Sequence, residues 1–230
     1  MIRDHVPTPD TRIVRTDLDL VPLLDGNDVP GFKDFVEELR MAAAGLSYPV
    51  FLRTGQTSGK HKWDDTCCVR RPTDFEQHVV ALLEYSHIVT LIGLPTDVWC
   101  VRKMLDVKPM ATAACYRNMP LVPEMRFFSN GSTITHEQPY WPWPVLKSAG
   151  IAKPRSMHRE LVGGFLEDAE TMSMARGYAT AAARAVNGPD QTEWSVDILR
   201  DRNGLLWVTD MALGNSSYRY DPNNQEEENL

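Results

Sequence analysis

The chain has 230 residues and is poor in several features that would fix its class at once. Its four cysteines, Cys67, Cys68, Cys100 and Cys115, show no Cys-x-x-Cys spacing. Vicinal Cys67 and Cys68 are ill placed for a structural bridge, and His61 with these cysteines makes a poor zinc set. No apolar run approaches the roughly 20 residues of a membrane span, and the opening "MIRDHVPTPDTR" lacks the hydrophobic stretch of a secretory signal. Positive charge is short as well. The 24 Lys+Arg against 31 Asp+Glu leave a net charge of -7, which argues against a general nucleic-acid binder. These absences point to a reduced, cytoplasmic globular protein with neither nucleic acid nor membrane as partner. The hydrophobic fraction of 43% is ordinary for such a chain, and its length suffices for a proper core.

Familiar phosphate motifs are missing too. The glycine-rich "RTGQTSGKHKW" (53–63) follows a short β-branched run, "YPVFLRT", and carries Arg53, Lys60, His61 and Lys62. A P-loop needs four residues between its glycines and a hydroxyl after the lysine. Here Gly55 and Gly59 are separated by three residues, and His61 takes the hydroxyl's place. Lys-x-Asp-Gly, His-Arg-Asp and Asp-Phe-Gly are absent, which removes nucleic-acid ligases of that type and protein kinases. By itself the loop is either a phosphate holder or a flexible surface loop with its lysines in water.

Elsewhere, "GFKDFVEELRMAAAG" spaces Phe32, Phe35, Val36, Leu39 and Ala43 as a helix face. "DDTCCVRR" reads as the hairpin partner of "YPVFLRT", and "VWCVRKMLDV" as a strand or linker. "TDFEQHVVALLEYS" opens as a capping box, with Thr73 and Glu76 ahead of an apolar stripe. A long helical region stops at Gly188-Pro189. Two hairpins stand out, "PEMRFFSNGSTITHEQPY" and "WSVDILRDRNGLLWVTDMALGN", each with Asn-Gly at its tip, the dipeptide of a two-residue type I′ turn. Hairpins mixed with helices make the fold class α+β, in two lobes meeting near 96–105.

The last hairpin carries a chemical signal. A two-residue turn at Asn203-Gly204 pairs Arg202 with Leu205 and sets Asp197 opposite Asp210, with Cβ atoms about 5 Å apart on one face. Two anions at that distance repel by on the order of 3 kcal/mol at an effective dielectric near 20. Val196, Ile198, Leu206, Trp207 and Val208 make the strands apolar. The pair therefore shares a proton or is neutralised by a cation, and Mg²⁺ suits two carboxylates plus phosphate. The other reading is a different register, with both aspartates solvated. In the first hairpin, Glu124 and Arg126 lie two apart on one face, either as an ion pair or with the arginine on a phosphoryl group.

The order of these segments resembles the ATP-grasp superfamily, in detail its small phage and bacterial members, over roughly 48–220. The resemblance implies the ATP-grasp fold, with ATP between two α+β lobes and its phosphates under the glycine loop. It implies a nucleotide set of Arg53, Gly55, Ser58, Gly59, Lys60, Val101, Lys103, Met104 and Glu124, with backbone around 101–104 on adenine. It further implies Arg126 at the γ-phosphate and Asp197 with Asp210 on magnesium. Ala212 stands where the superfamily usually has a metal-binding asparagine, and Asn215 is the nearest substitute. The implied parts are an N-terminal segment with one helix (1–47), a lid lobe (48–98), a second lobe (99–220) and a disordered acidic tail (221–230). The implied activity is ligation: ATP activates a small-molecule or peptide carboxylate as an acylphosphate, which an amine or thiol then attacks. The alternative is a non-catalytic ATP-binding assembly module. Tyr140, Trp141 and Trp143 either shape an acceptor pocket or pack an irregular loop.

Overall fold

The computed structural model of the chain describes residues 4–89, 93–166, 169–187 and 191–221. The expected stop at Gly188-Pro189 and nearly all of the acidic tail lie outside the described residues. The chain divides into two compact units. A glycine-loop unit takes residues 10–104 with 114–119, and a hairpin unit takes 1–9, 105–113 and 120–230.

The glycine-loop unit is a four-stranded antiparallel sheet of β1 (Thr11–Arg15), β2 (Val50–Thr54), β3 (Cys68–Val69) and β4 (Val98–Lys103), in the order β1-β4-β2-β3. Alternation along the strands sorts its faces. Val50 and Leu52 of β2 and Trp99 and Val101 of β4 are fully buried in one core. That core is closed by α1 (Phe32–Ala43) and α2 (Phe75–Val89). The apolar positions expected of α1 are the ones it buries: Phe32, Phe35, Val36, Leu39 and Ala43. Asp34 in its first turn and Arg40 in its last complement the helix dipole. β1 and α1 share this core. The capping box at α2 is not formed. A 3-10 turn, Pro72–Asp74, precedes the helix without a side-chain cap, and the Thr73 hydroxyl donates to Asp74 instead.

Two short strands, β5 (Ala111–Ala113) and β6 (Met119–Leu121), pair as a ribbon. The hairpin unit is built on a second antiparallel sheet of β7 (Glu124–Ser129), β8 (Ile134–Pro139), β9 (Trp194–Arg200) and β10 (Leu206–Leu213), ordered β10-β9-β7-β8. Met125, Phe127, Val196, Ile198, Leu206 and Val208 form its apolar face. They pack on Phe165 of α4 (Pro154–Phe165) and on Ala175, Ala179 and Ala182 of α5 (Ala169–Asn187). The alanines recur at helical spacing, so α5 lies close against the strands. A short α3 (Trp143–Ser148) precedes α4. Among the described residues no helix is long and apolar enough to cross a membrane.

The thiols follow the cores. Cys67 and Cys68 are buried, while Cys115 is exposed. Burial pushes the Cys67 thiol up to about 12, against smaller opposing effects from Thr66 and Lys60. Such a thiol stays protonated at pH 8, and the thiolate is the reactive form. Alkylation at pH 8, followed by peptide mapping, should modify Cys115 well ahead of Cys67 and Cys68, which should react only after denaturation. Equal native labelling of all three would contradict this packing.

Candidate functional site

One transverse row crosses the hairpin sheet on the face away from the helices. Gln138 pairs with Arg126, Arg126 with Asp197, and Asp197 with Asp210, so four polar side chains stand abreast on four neighbouring strands. Asp197 is 3% exposed and Gln138 is also 3% exposed, so this face is polar yet largely dry.

The expected opposition of Asp197 and Asp210 is present, but it arises by another route. The tip is a three-residue loop, not a type I′ turn. Asp201 N–H donates to Leu205 O, Gly204 N–H donates to Asp201 O, and Gly204 has φ +83°. Among non-glycine described residues only Arg117 and Asn118 have positive φ, so Asn203 cannot occupy a type I′ position. The Asp201 carboxylate ties the loop by accepting from the Asn203 and Leu205 N–H groups and from the Trp207 indole. This shifts the near-tip register by one, pairing Leu206 with Arg200 and Val208 with Ile198. A bulge at Thr209 then absorbs the slip and returns Asp210 opposite Asp197. The other tip differs from a type I′ turn as well: Ser129 pairs with Ile134, and the Asn130 carboxamide accepts from Ser132 and Thr133 N–H groups.

Arg126 supplies a cation to one member of the aspartate pair. Its Nε and Nη2 donate to the two Asp197 carboxylate oxygens at 2.7 and 2.9 Å. The pair is enclosed, with side-chain exposures of 17% and 4%. Burial alone would lower the guanidinium pKa, but the Asp197 charge and its hydrogen bonds outweigh this and raise it, with smaller contributions from Tyr140 and Glu124. The Tyr140 ring lies under the guanidinium, 5.0 Å from its carbon. Arg126 thus bonds to an aspartate across the sheet and not to Glu124 on its own strand. Glu124, 7% exposed, accepts instead from the Thr209 hydroxyl at 3.0 Å, so the bulge residue links β10 to β7.

Asp210 accepts from the Met211 N–H and is partly exposed. Asn215 is exposed in the 3-10 turn Gly214–Ser216 and accepts from the Ser216 hydroxyl. Among the described residues, no three His, Cys, Asp or Glu side chains are grouped to hold a metal ion. Two adjacent carboxylates still fit a magnesium ion that takes its remaining ligands from phosphates and water. Gln138 went unnoticed in the sequence because a lone glutamine in a strand carries no signal. Its carboxamide donates to Tyr218 O and accepts from Tyr220 N–H, holding the C-terminal segment beside the row.

In the other unit the glycine loop is tied down by hydrogen bonds. The Thr54 hydroxyl oxygen accepts from Gln56 and Thr57 N–H groups, and Gly55 N–H donates to Val98 O. Thr66, fully buried, sets its hydroxyl 2.8 Å from both Gly59 O and Lys62 O. Gly59 has φ +59°, and a Cβ there would meet Thr66 at 3.2 Å. Ser58 is buried, Lys60 is partly exposed and opens a 3-10 turn, and Arg53 is 9% exposed with its Nε donating to Thr54 O. Val101 lies in β4, a central strand of the sheet, with its side chain fully buried in the core. Lys103 N–H donates to Asp10 O, so the outermost of these backbone positions is Met104.

No family model and no curated protein matches the chain. Among solved structures it is similar to a biotin carboxylase–βγ-ATP complex from Campylobacter jejuni, at TM-score 0.52 and 13% identity, over 97% of this chain and 39% of that one. It also resembles N5-carboxyaminoimidazole synthase from Aspergillus clavatus in complex with ADP, at TM-score 0.49 and 10% identity, over 91% and 40%. The chain spans about two fifths of the length of these structures. The first likeness shows the fold: α+β with antiparallel sheets, of the ATP-grasp type.

Two expected outcomes follow from the geometry. Arg126→Met strands a buried carboxylate and should cost about 3–5 kcal/mol of unfolding free energy. Adding Asp197→Leu should recover a large part of that. Urea titrations of the four proteins in this cycle give the coupling, and simple additivity would refute the pair's importance. Gly59→Ala forces an alanine into the left-handed region against Thr66 and should lower stability by about 1–2 kcal/mol. A neutral result in the same titration would mean that the loop relaxes freely.

Proposed function

We propose that the chain is an ATP-dependent ligase that activates a carboxylate as an acylphosphate for attack by an amine or thiol. The observation that best supports this is the Gln138–Arg126–Asp197–Asp210 row, a buried, charge-rich surface on an ATP-grasp fold. In this reading a carboxylate oxygen attacks the γ-phosphorus, ADP leaves, and the nucleophile then displaces phosphate from the acyl carbon. The protein's part is to position groups and balance charge. Arg126 turns its Nε and Nη2 toward Asp197, which leaves Nη1 for a phosphoryl oxygen. Asp197 and Asp210 would hold magnesium, which when bound offsets the charge of the phosphates. Arg53, Gly55, Ser58, Gly59 and Lys60 form the phosphate-covering set, and Met104 with Lys103 the adenine-side set. Glu124 keeps Thr209, and with it the bulge, in place.

The same reading makes the protein a small cytoplasmic relative of phage and bacterial ATP-grasp proteins acting on a small-molecule or peptide carboxylate. The four unbridged cysteines support the compartment. A second reading, a nucleotide-binding assembly module without turnover, is favoured by Ala212 and by the hold of Arg126 on both Asp197 oxygens.

Calorimetry with ATP should show binding that needs Mg²⁺; no detectable binding in either condition would end both readings. ADP and phosphate release stimulated by a cell extract would separate ligase from module. Asp210→Asn should change apo stability by less than about 1 kcal/mol, because Asp210 is partly exposed and Asp197 already has a cation. The variant should lose the roughly 2.7 kcal/mol that Mg·ATP confers at 100 times its Kd. Thermal melts that show intact ligand stabilisation in the variant would remove Asp210 from the metal site.

A further inference from the structure

The hairpin unit carries a polar cleft outside the row. A cleft of about 660 Å³ is lined by residues of α3, the linker after it and the start of α4. Its walls include Trp143, Lys147, Lys153, Arg155, Ser156 and Arg159. Among the described residues, four cations and no carboxylate line this cleft, in a chain whose net charge is -7. Its volume falls in the range of small-molecule pockets.

The start of α4 has little of its own to satisfy its first N–H groups. Its N-cap residue, Lys153, makes no side-chain capping bond, and no acidic residue occupies the first turn. Lys153 and Arg155 instead put positive charge at the positive end of the helix dipole, where anions are favoured. Pro154 at the first helical position has no N–H to offer. The Arg155 guanidinium lies 4.1 Å over the Trp143 ring, which fixes its fork within the cleft. Arg159 follows one turn later on the same helix face. The Ser156 hydroxyl donates to Glu160, which is not a wall of the cleft.

We infer that this cleft binds a small polyanion bearing at least two phosphate or carboxylate groups. The Arg155 and Arg159 forks suit one oxyanion bidentately, and Lys147 and Lys153 neutralise the second as point charges. An extended nucleic acid would meet repulsion from a chain of net charge -7, whereas a compact anion would not. The inference rests on the cleft alone and holds whether or not the chain ligates.

Calorimetric titrations of the whole chain with pyrophosphate and with citrate, in metal-free buffer, test it. At least one probe should bind saturably, and Lys153→Gln/Arg159→Gln should weaken that binding about tenfold or more. Lys147→Gln, on the α3 side of the cleft, should weaken it too, while Lys60→Ala in the glycine loop should leave it within about twofold. Binding of pyrophosphate alone assigns a phosphorylated ligand, and binding of citrate alone a polycarboxylate. Saturation by neither probe, undiminished binding in both cleft variants, or a loss that tracks Lys60→Ala would overturn the proposal.

Discussion

The Arg126–Asp197 pair is the constraint on which the hairpin unit turns. An aspartate with 4% of its side chain exposed is tolerated only because a guanidinium meets both of its oxygens. That contact requires β7 and β9 to be neighbours in one register, since a one-residue slip would send one partner into the apolar face. Met125, Phe127, Val196 and Ile198 enforce the same register from the other side, because the slip would also expose them. Hydrophobic burial and charge pairing thus specify one alignment from opposite faces of a single sheet.

The two units stabilise their polar features differently. In the hairpin unit, side chains of like row position pair across strands. In the glycine loop, hydroxyls serve the backbone: Thr54 receives N–H groups that a tight turn leaves over, and Thr66 reaches the carbonyls of Gly59 and Lys62. A loop held by threonine hydroxyls keeps its shape without large apolar side chains.

Much of the fold was legible in the chain because periodicity is written in it. The face of α1, the alternation of β2 and the two hairpins all follow from apolar spacing. Tip geometry was not legible, because Asn-Gly fits several loops and the choice fell to Asp201, a side chain outside the dipeptide. The Arg126–Asp197 bond was hidden for a related reason: its partners are 71 positions apart, and only the pairing of β7 with β9 joins them. Asp197 and Asp210 were matched correctly although the intervening register was not, since two one-residue departures cancelled.

That cancellation ties the length of the tip to the bulge at Thr209. Shortening the loop to two residues while keeping the bulge, or smoothing the bulge while keeping the loop, would carry Asp210 past Asp197 and leave Thr209 unable to reach Glu124. Each change alone spoils the site, and only both together restore it. Sequences descended from a common ancestor should therefore gain or lose a residue at the tip and at the bulge in concert. In an alignment, paired gaps some six positions apart on β10 would be the trace of this coupling, where substitutions show nothing.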